Sequence, residues 1–211
     1  MKVLIACEYS GIVRDAFLER GHDAISCDIL PTETNPDKHY QGDVMDILND
    51  GWDMMIGFPP CTYLSYAGTR HWNDPGRVFK RLDALAFFAK LWTAPIEKIC
   101  LENPKGCASP TIAKYSQIIQ PYQFGDPYIK TTCLWLKGLP KLEYNPRGGL
   151  FESTEVKPIG YHVYSCDKKE MTQGLKKMGA DITVESYGKS DQHERSRFWP
   201  GIAKQMASQW G

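Results

Sequence analysis

The chain has 211 residues, 42% hydrophobic and 24% charged, with Lys+Arg and Asp+Glu at 25 each and no formal net charge at pH 7. That length supports one sizeable core with a small appended lobe, and the charge balance excludes a global field drawing the protein to nucleic acid, so any such contact needs a local basic patch. Seven cysteines, an odd number with no C-x-x-C pair, predict free thiols and no metal site.

The opening "MKVLIACEYSG" reaches Glu8 and a turn too soon for a signal peptide, and no apolar run is long enough to span a membrane. Cytoplasmic residence is the expectation. "KVLIACE" at 2–8 reads instead as a strand buried on both faces. "IVRDAFLERG" then carries Ile12, Val13, Ala16, Phe17 and Arg20 at helical spacing and stops at Gly21. "DAISCDI" (23–29) and "DMMIGF" (53–58) read as further strands. "RVFKRLDALAFFAKLW" (77–92) predicts a helix with Val78, Leu82, Leu85, Ala86 and Phe88 or Ala89 toward the core. "EKICLENP" (97–104) is a strand ended by proline, "PTIAKYSQIIQ" (110–120) a helix, and "IKTTCLWLKG" (129–138) a strand.

Alternating strands and helices predict an α/β fold, a mostly parallel sheet with helices on both faces. The predicted organisation is a core over 1–142, a small insertion over 143–190 rich in Gly, Pro and polar residues, and a segment 191–211 whose helix returns to the core. Within the insertion, 161–187 suggest strand, helix and strand, with "KKEMTQGLKKMG" as the helix.

Ligands of such sheets bind beyond the carboxyl ends of the strands. Glu8, Asp28, Cys61 and Glu102-Asn103 fall at or just past those ends. Ser10-Gly11 lets backbone approach a ligand at a helix N-terminus, although the G-x-G-x-x-G fingerprint is absent. Asp28 is placed to accept from ribose hydroxyls, with Asp43 a further acceptor near the same rim. Together they favour a nucleoside-bearing cofactor without a strong phosphate site, S-adenosylmethionine rather than NAD. Pro59-Pro60 ends a strand and holds the Cys61 thiol in one place. A thiol beside a partly desolvated carboxyl, here Glu102, suits addition to an electron-poor ring whose nitrogen the carboxyl protonates or anchors. The loop 62–77 mixes aromatics with Arg70, His71 and Arg77, as a segment closing over a flipped base would.

G-x-P-P-C-x-x-x-S at 57–65, "ENP" at 102–104, and Gly11, Asp28 and Asp43 in that order resemble the cytosine carbon-5 DNA methyltransferase family. The chain is similar in particular to short bacteriophage-borne members, which share the look of "ENP", "CLWLKGLP" and a terminal "ERSR…PGIA…QW". The resemblance spans about 2–138. It implies a Rossmann-like class I methyltransferase fold and S-adenosylmethionine held by Glu8, Ser10, Gly11, Asp28, Asp43 and Pro59. It implies addition of Cys61 to carbon 6 of cytosine, with Glu102 on N3 and the exocyclic amine. DNA contacts would come from Pro60, Ser65, Arg70, Asn103, Lys130, Arg195 and Arg197. The chain departs from the family in having a single glycine, Gly11, at the cofactor turn, and only about fifty residues between "CLWLKGLP" and "ERSR". Where the family carries Gln-x-Arg-x-Arg, "KTTCLWL" offers Lys130 alone. RNA or a cytosine nucleotide as substrate, and a non-catalytic nucleic-acid-binding protein, stay open as alternatives.

Overall fold

The computed structural model describes residues 1–144, 154–158, 160–164, 183–187 and 197–211. Its main sheet has seven strands: β1 (Lys2–Ala6), β2 (Asp23–Asp28), β3 (His39–Gln41), β4 (Met54–Gly57), β5 (Lys98–Asn103), β6 (Gln117–Ile119) and β8 (Thr132–Lys137). They lie in the order 3-2-1-4-5-8-6. β1, β2, β3, β4 and β5 pair in parallel, and β8 runs against both of its neighbours. That order, with one reversed strand near the edge, is the Rossmann-like methyltransferase fold. β1 has β2 on one side and β4 on the other, so the strand order switches direction there and opens a crevice at the carboxyl ends.

Side chains on a strand alternate between faces, and here both faces are covered. Val3 and Ile5 point to one side with Met54 and Ile56, packed under α1 (Ile12–Glu19) and the C-terminal helix α4 (Pro200–Trp210) through Phe17, Ile202 and Met206. Leu4 and Met55 point to the other, against Phe88 and Leu91 of α2 (Arg77–Trp92) and Trp135 of β8. This double burial explains the unbroken apolar runs of β1 and β4.

Three expectations are corrected. Residues 110–120 are not one helix: α3 spans only Ala108–Thr111, and Gln117–Ile119 form β6. The Trp135 indole donates to the Ala113 carbonyl, and the Ser116 N–H donates to the Leu134 carbonyl at 2.8 Å. These non-local bonds draw the segment onto β8. The strand expected over 129–138 is divided: β7 (Tyr128–Ile129) joins a second sheet of order β10-β9-β7, and β8 begins at Thr132. β9 is Gly160–Tyr164 and β10 Thr183–Tyr187, and the helix expected between them, over 168–179, lies outside the described residues. On α2 the buried residues are Phe88 and Leu91, with Leu85 partly buried, whereas Val78 and Leu82 stay 48% and 56% exposed and Ala86 is exposed. No helix among the described residues is long and apolar enough to cross a membrane.

Candidate active site

The rim is built from the turn after β1 outward. Cys7 has φ +60°, a left-handed conformation uncommon outside glycine, which turns the chain sharply at the strand's end. Glu8 follows, 4% exposed, and its Oε1 accepts from the Val13 N–H at 2.7 Å, while Oε2 accepts from Arg14 N–H at 3.3 Å. The Ser10 hydroxyl, 3% exposed, donates to Glu8 Oε1 at 3.3 Å. The first N–H groups of a helix lack partners within it, and this carboxylate satisfies them from inside. Glu8 and Ser10, expected to hold a cofactor, are therefore enclosed as caps of α1. Burial pushes the Glu8 carboxyl from 4.5 up to about 7 despite those hydrogen bonds. Gly11 is the N-cap at φ +77°, and a Cβ there would strike the side chains of Thr34 and Arg14.

Asp28 ends β2, half-buried, with Oδ1 accepting from the Leu30 N–H at 2.9 Å. Burial raises its pKa. Asp43 is exposed and accepts from the Met45 N–H at 3.0 Å. Burial first, then the Asp28 carboxylate, raises the pKa of the Cys7 thiol, with Cys27 and Asp43 adding to it. Ile29, beside Asp28, is 76% exposed. Sequence reading missed the residue that shapes this side, Arg14. It is fully buried, and its guanidinium donates to Ser26 Oγ at 3.0 Å, to Thr32 Oγ1 and the Lys38 carbonyl at 3.4 Å, and to Thr34 Oγ1. It thereby ties the loop after β2 to α1. The available signal was a charge on the core-facing side of an amphipathic helix.

The loop that carries Cys61 leaves β4. Gly57 pairs in register with Leu101, so Cys61, on the loop after β4, and Glu102, next to last in β5, belong to the carboxyl ends of adjacent parallel strands. Pro59 is buried, Pro60 exposed and Cys61 half-exposed. The Cys61 carbonyl accepts from Leu64 and Ser65 N–H groups at 3.0 and 2.9 Å. The loop is fastened to the turn after β5. Asn103 Nδ2 donates to the Pro59 carbonyl at 2.7 Å, Tyr66 N–H to the Lys105 carbonyl at 3.1 Å, and Cys107 N–H to the Leu64 carbonyl at 2.9 Å. Ser65 bridges Gly106, where a Cβ would collide with the Leu64 carbonyl, and its hydroxyl accepts from Ala67 N–H at 3.1 Å. Asn103, expected to touch substrate, is 1% exposed and spends its amide on the cysteine loop; its Oδ1 is buried without a hydrogen-bond partner.

Burial raises the Glu102 pKa, and the cation of Lys130 lowers it in part. Lys130 precedes β8, whose Leu134 and Cys133 pair with Glu102 and Asn103, so it enters on the same rim. Lys130 Nζ also lies 5.9 Å from the Trp199 ring centroid. Arg197 donates to Glu33 Oε1 at 2.9 Å, on the loop after β2, and Arg195 lies outside the described residues. Arg70 is exposed and donates to His71 Nε2 at 3.0 Å. Thus Cys61 and Glu102 lie at the carboxyl ends of the neighbouring strands β4 and β5, and Cys7 and Asp28 at those of β1 and β2. Among the described residues no three His, Cys, Asp or Glu side chains group as a metal site.

No family model matches the chain, and no curated protein matches it. Among solved structures 39 chains match. One is the Entamoeba histolytica methyltransferase EhMeth, 17% identical, with a TM-score of 0.46 over 74% of this chain and 57% of that one. The chain thus aligns to little more than half the length of that protein. Strand order and direction, 3-2-1-4-5-8-6 with β8 reversed, define the fold.

Proposed function

We propose that the protein is an S-adenosylmethionine-dependent methyltransferase acting on carbon 5 of cytosine in DNA through covalent addition of Cys61. The observation that carries this reading is the half-exposed Cys61, on a loop fastened by Asn103 after β4, with the half-buried Glu102 at the end of the adjacent strand β5 and Lys130 entering on the same rim.

The other part of the rim fits the cofactor. Asp28 would accept from the ribose hydroxyls, exposed Ile29 would give the adenine an apolar face, and Asp43 and Pro59 would flank them. When bound, S-adenosylmethionine supplies the methyl group that carbon 5 takes. Cys61 acts as thiolate and forms the sulfur–carbon bond at carbon 6, so the ring's electron pair moves toward N3. Glu102, raised toward its protonated form by burial, holds the proton at N3 and accepts from the exocyclic amine. Loss of the carbon-5 proton then re-forms the ring double bond and expels the Cys61 thiolate. The rigid turn at Pro59-Pro60 serves this step because nucleophile placement dominates such reactions.

The same chemistry on RNA or a cytosine nucleotide is a second reading, favoured by the short segment between β8 and α4. Incubation with methyl-tritiated S-adenosylmethionine and, separately, DNA, RNA and cytidine nucleotides tests both. Label at cytosine carbon 5 in DNA is expected. Label confined to RNA or nucleotide moves the assignment to the second reading, and label in none contradicts a methyltransferase role.

A further inference from the structure

We propose that the face made by the 3-10 turn Tyr66–His71 and the first turns of α2 binds single-stranded nucleic acid, seating the strand that flanks the target base. The inference rests on the reading of Cys61 as the place where a base is handled, and it adds a surface that reading does not require.

The starting point is the unexpected exposure on α2. Phe79 is 72% exposed, Leu82 56% and Val78 48%, and Tyr66 on the neighbouring turn is 45% exposed. An apolar helix face open to water marks a surface with a partner. The cations among these side chains indicate the kind of partner. Arg77 lies 5.0 Å and Lys80 5.7 Å from the Tyr63 ring centroid, and Arg81 lies 3.7 Å from that of Trp72. Arg77 also donates to the Thr62 carbonyl at 2.9 Å, next to Cys61. The face is therefore continuous with the nucleophile's loop. Tyr66 and Trp72 stack at 6.0 Å.

The acidic groups on this stretch are Asp74, taken up by His71 at 2.9 Å, and Asp83, against Arg70, Arg77, Lys80 and Arg81. A protein partner would favour a patch whose centre is depleted of charge. Here cations alternate with apolar and aromatic side chains, the pattern that lets phosphates follow the cations while base faces stack on rings regardless of sequence. With a neutral chain overall, this is the kind of local patch that binding to a polyanion demands.

The test is fluorescence anisotropy with a labelled oligodeoxythymidine, which contains no cytosine and needs neither Cys61 nor cofactor. The full chain is expected to bind, with affinity falling as salt rises. Phe79→Ala is expected to weaken binding by about five- to a hundredfold, as loss of one stacked base does, with thermal unfolding unchanged because the side chain is exposed. Lys80→Gln is expected to shallow the slope of log affinity against log salt by about 0.7, one phosphate's worth on a single strand. Wild-type affinity in a folded Phe79→Ala would overturn the proposal, as would no binding by the wild type. Sedimentation showing that the wild type self-associates and Phe79→Ala does not would also overturn it, assigning the face to a second copy. A chain that methylates cytosine nucleotides but ignores oligothymidine would sink this inference and leave the methyltransferase reading standing. Binding without methylation would do the reverse.

Discussion

Glu8 and Glu102 are the same chemical group in two surroundings, and the difference decides what each does. Glu8 is enclosed, with two helix N–H groups on its carboxyl. Its pKa rises from 4.5 to about 7, so between those values the native protein keeps a proton that the unfolded chain has released. The stability this supplies is complete below about pH 4.5 and is lost as pH rises through about 7, a change on the order of 3 kcal/mol. Asp28, Asp126 and Glu102, also raised by burial, push in the same direction. Glu8→Gln is expected to narrow the gap between urea midpoints measured at pH 5 and pH 8, because the amide does not titrate. A gap as wide as the wild type's would place the pH dependence on the other carboxyls. Glu102 is half-buried near the end of β5, and the Lys130 cation acts against its rise. Glu102→Gln keeps a hydrogen-bonding side chain but has no proton to give, so methyl transfer is expected to slow by about 10²- to 10⁴-fold with the fold retained. Turnover at the wild-type rate would reduce Glu102 to a strand-end residue.

The loop carrying Cys61 and the turn after β5 behave as one element, joined by the bonds from Asn103, Tyr66 and Cys107. Gly106 permits that approach because any Cβ would meet the Leu64 carbonyl. Gly106→Ala is expected to cost about 1 to 3 kcal/mol in thermal unfolding, the usual range for an overpacked contact, and to lower methyl transfer by more than the unfolded fraction explains. Activity falling only in step with the unfolded fraction would show that the junction does not place the cysteine. Much at this scale was legible in the sequence. β1, α1, β2, β4 and β5 declared themselves because a doubly covered strand is a continuous apolar run and an amphipathic helix has its own period. The segment 110–120 did not, because its apolar spacing suits a helix while the bonds that make Gln117–Ile119 a strand come from β8. α2 offered apolar residues on more than one flank, and the core on the sheet selected Phe88 and Leu91 over Val78 and Leu82.

Across the whole molecule, the C-terminal stretch returns to the rim before entering α4. Arg197 pairs with Glu33 beyond β2, Phe198 sits 4.7 Å from the Phe58 ring after β4, and Trp199 lies 5.4 Å from Tyr128 of β7. One short segment thus joins the two parts of the rim to the edge of the second sheet. Such long-range joints were hidden in the sequence, as were the Arg14 hub and the bond from Asn103 to a carbonyl 44 residues away. The places of Cys61 and Glu102 in the fold were legible because an apolar run and a proline mark the end of β4 and of β5. The most direct test of their partnership uses DNA containing cytosine with fluorine at carbon 5, which blocks the elimination that would free the enzyme. With S-adenosylmethionine present, a denaturation-resistant adduct is expected by mass spectrometry, mapped to Cys61 among the seven cysteines and absent in Cys61→Ser. An adduct on another cysteine, or none on DNA the protein binds, would contradict covalent catalysis by Cys61.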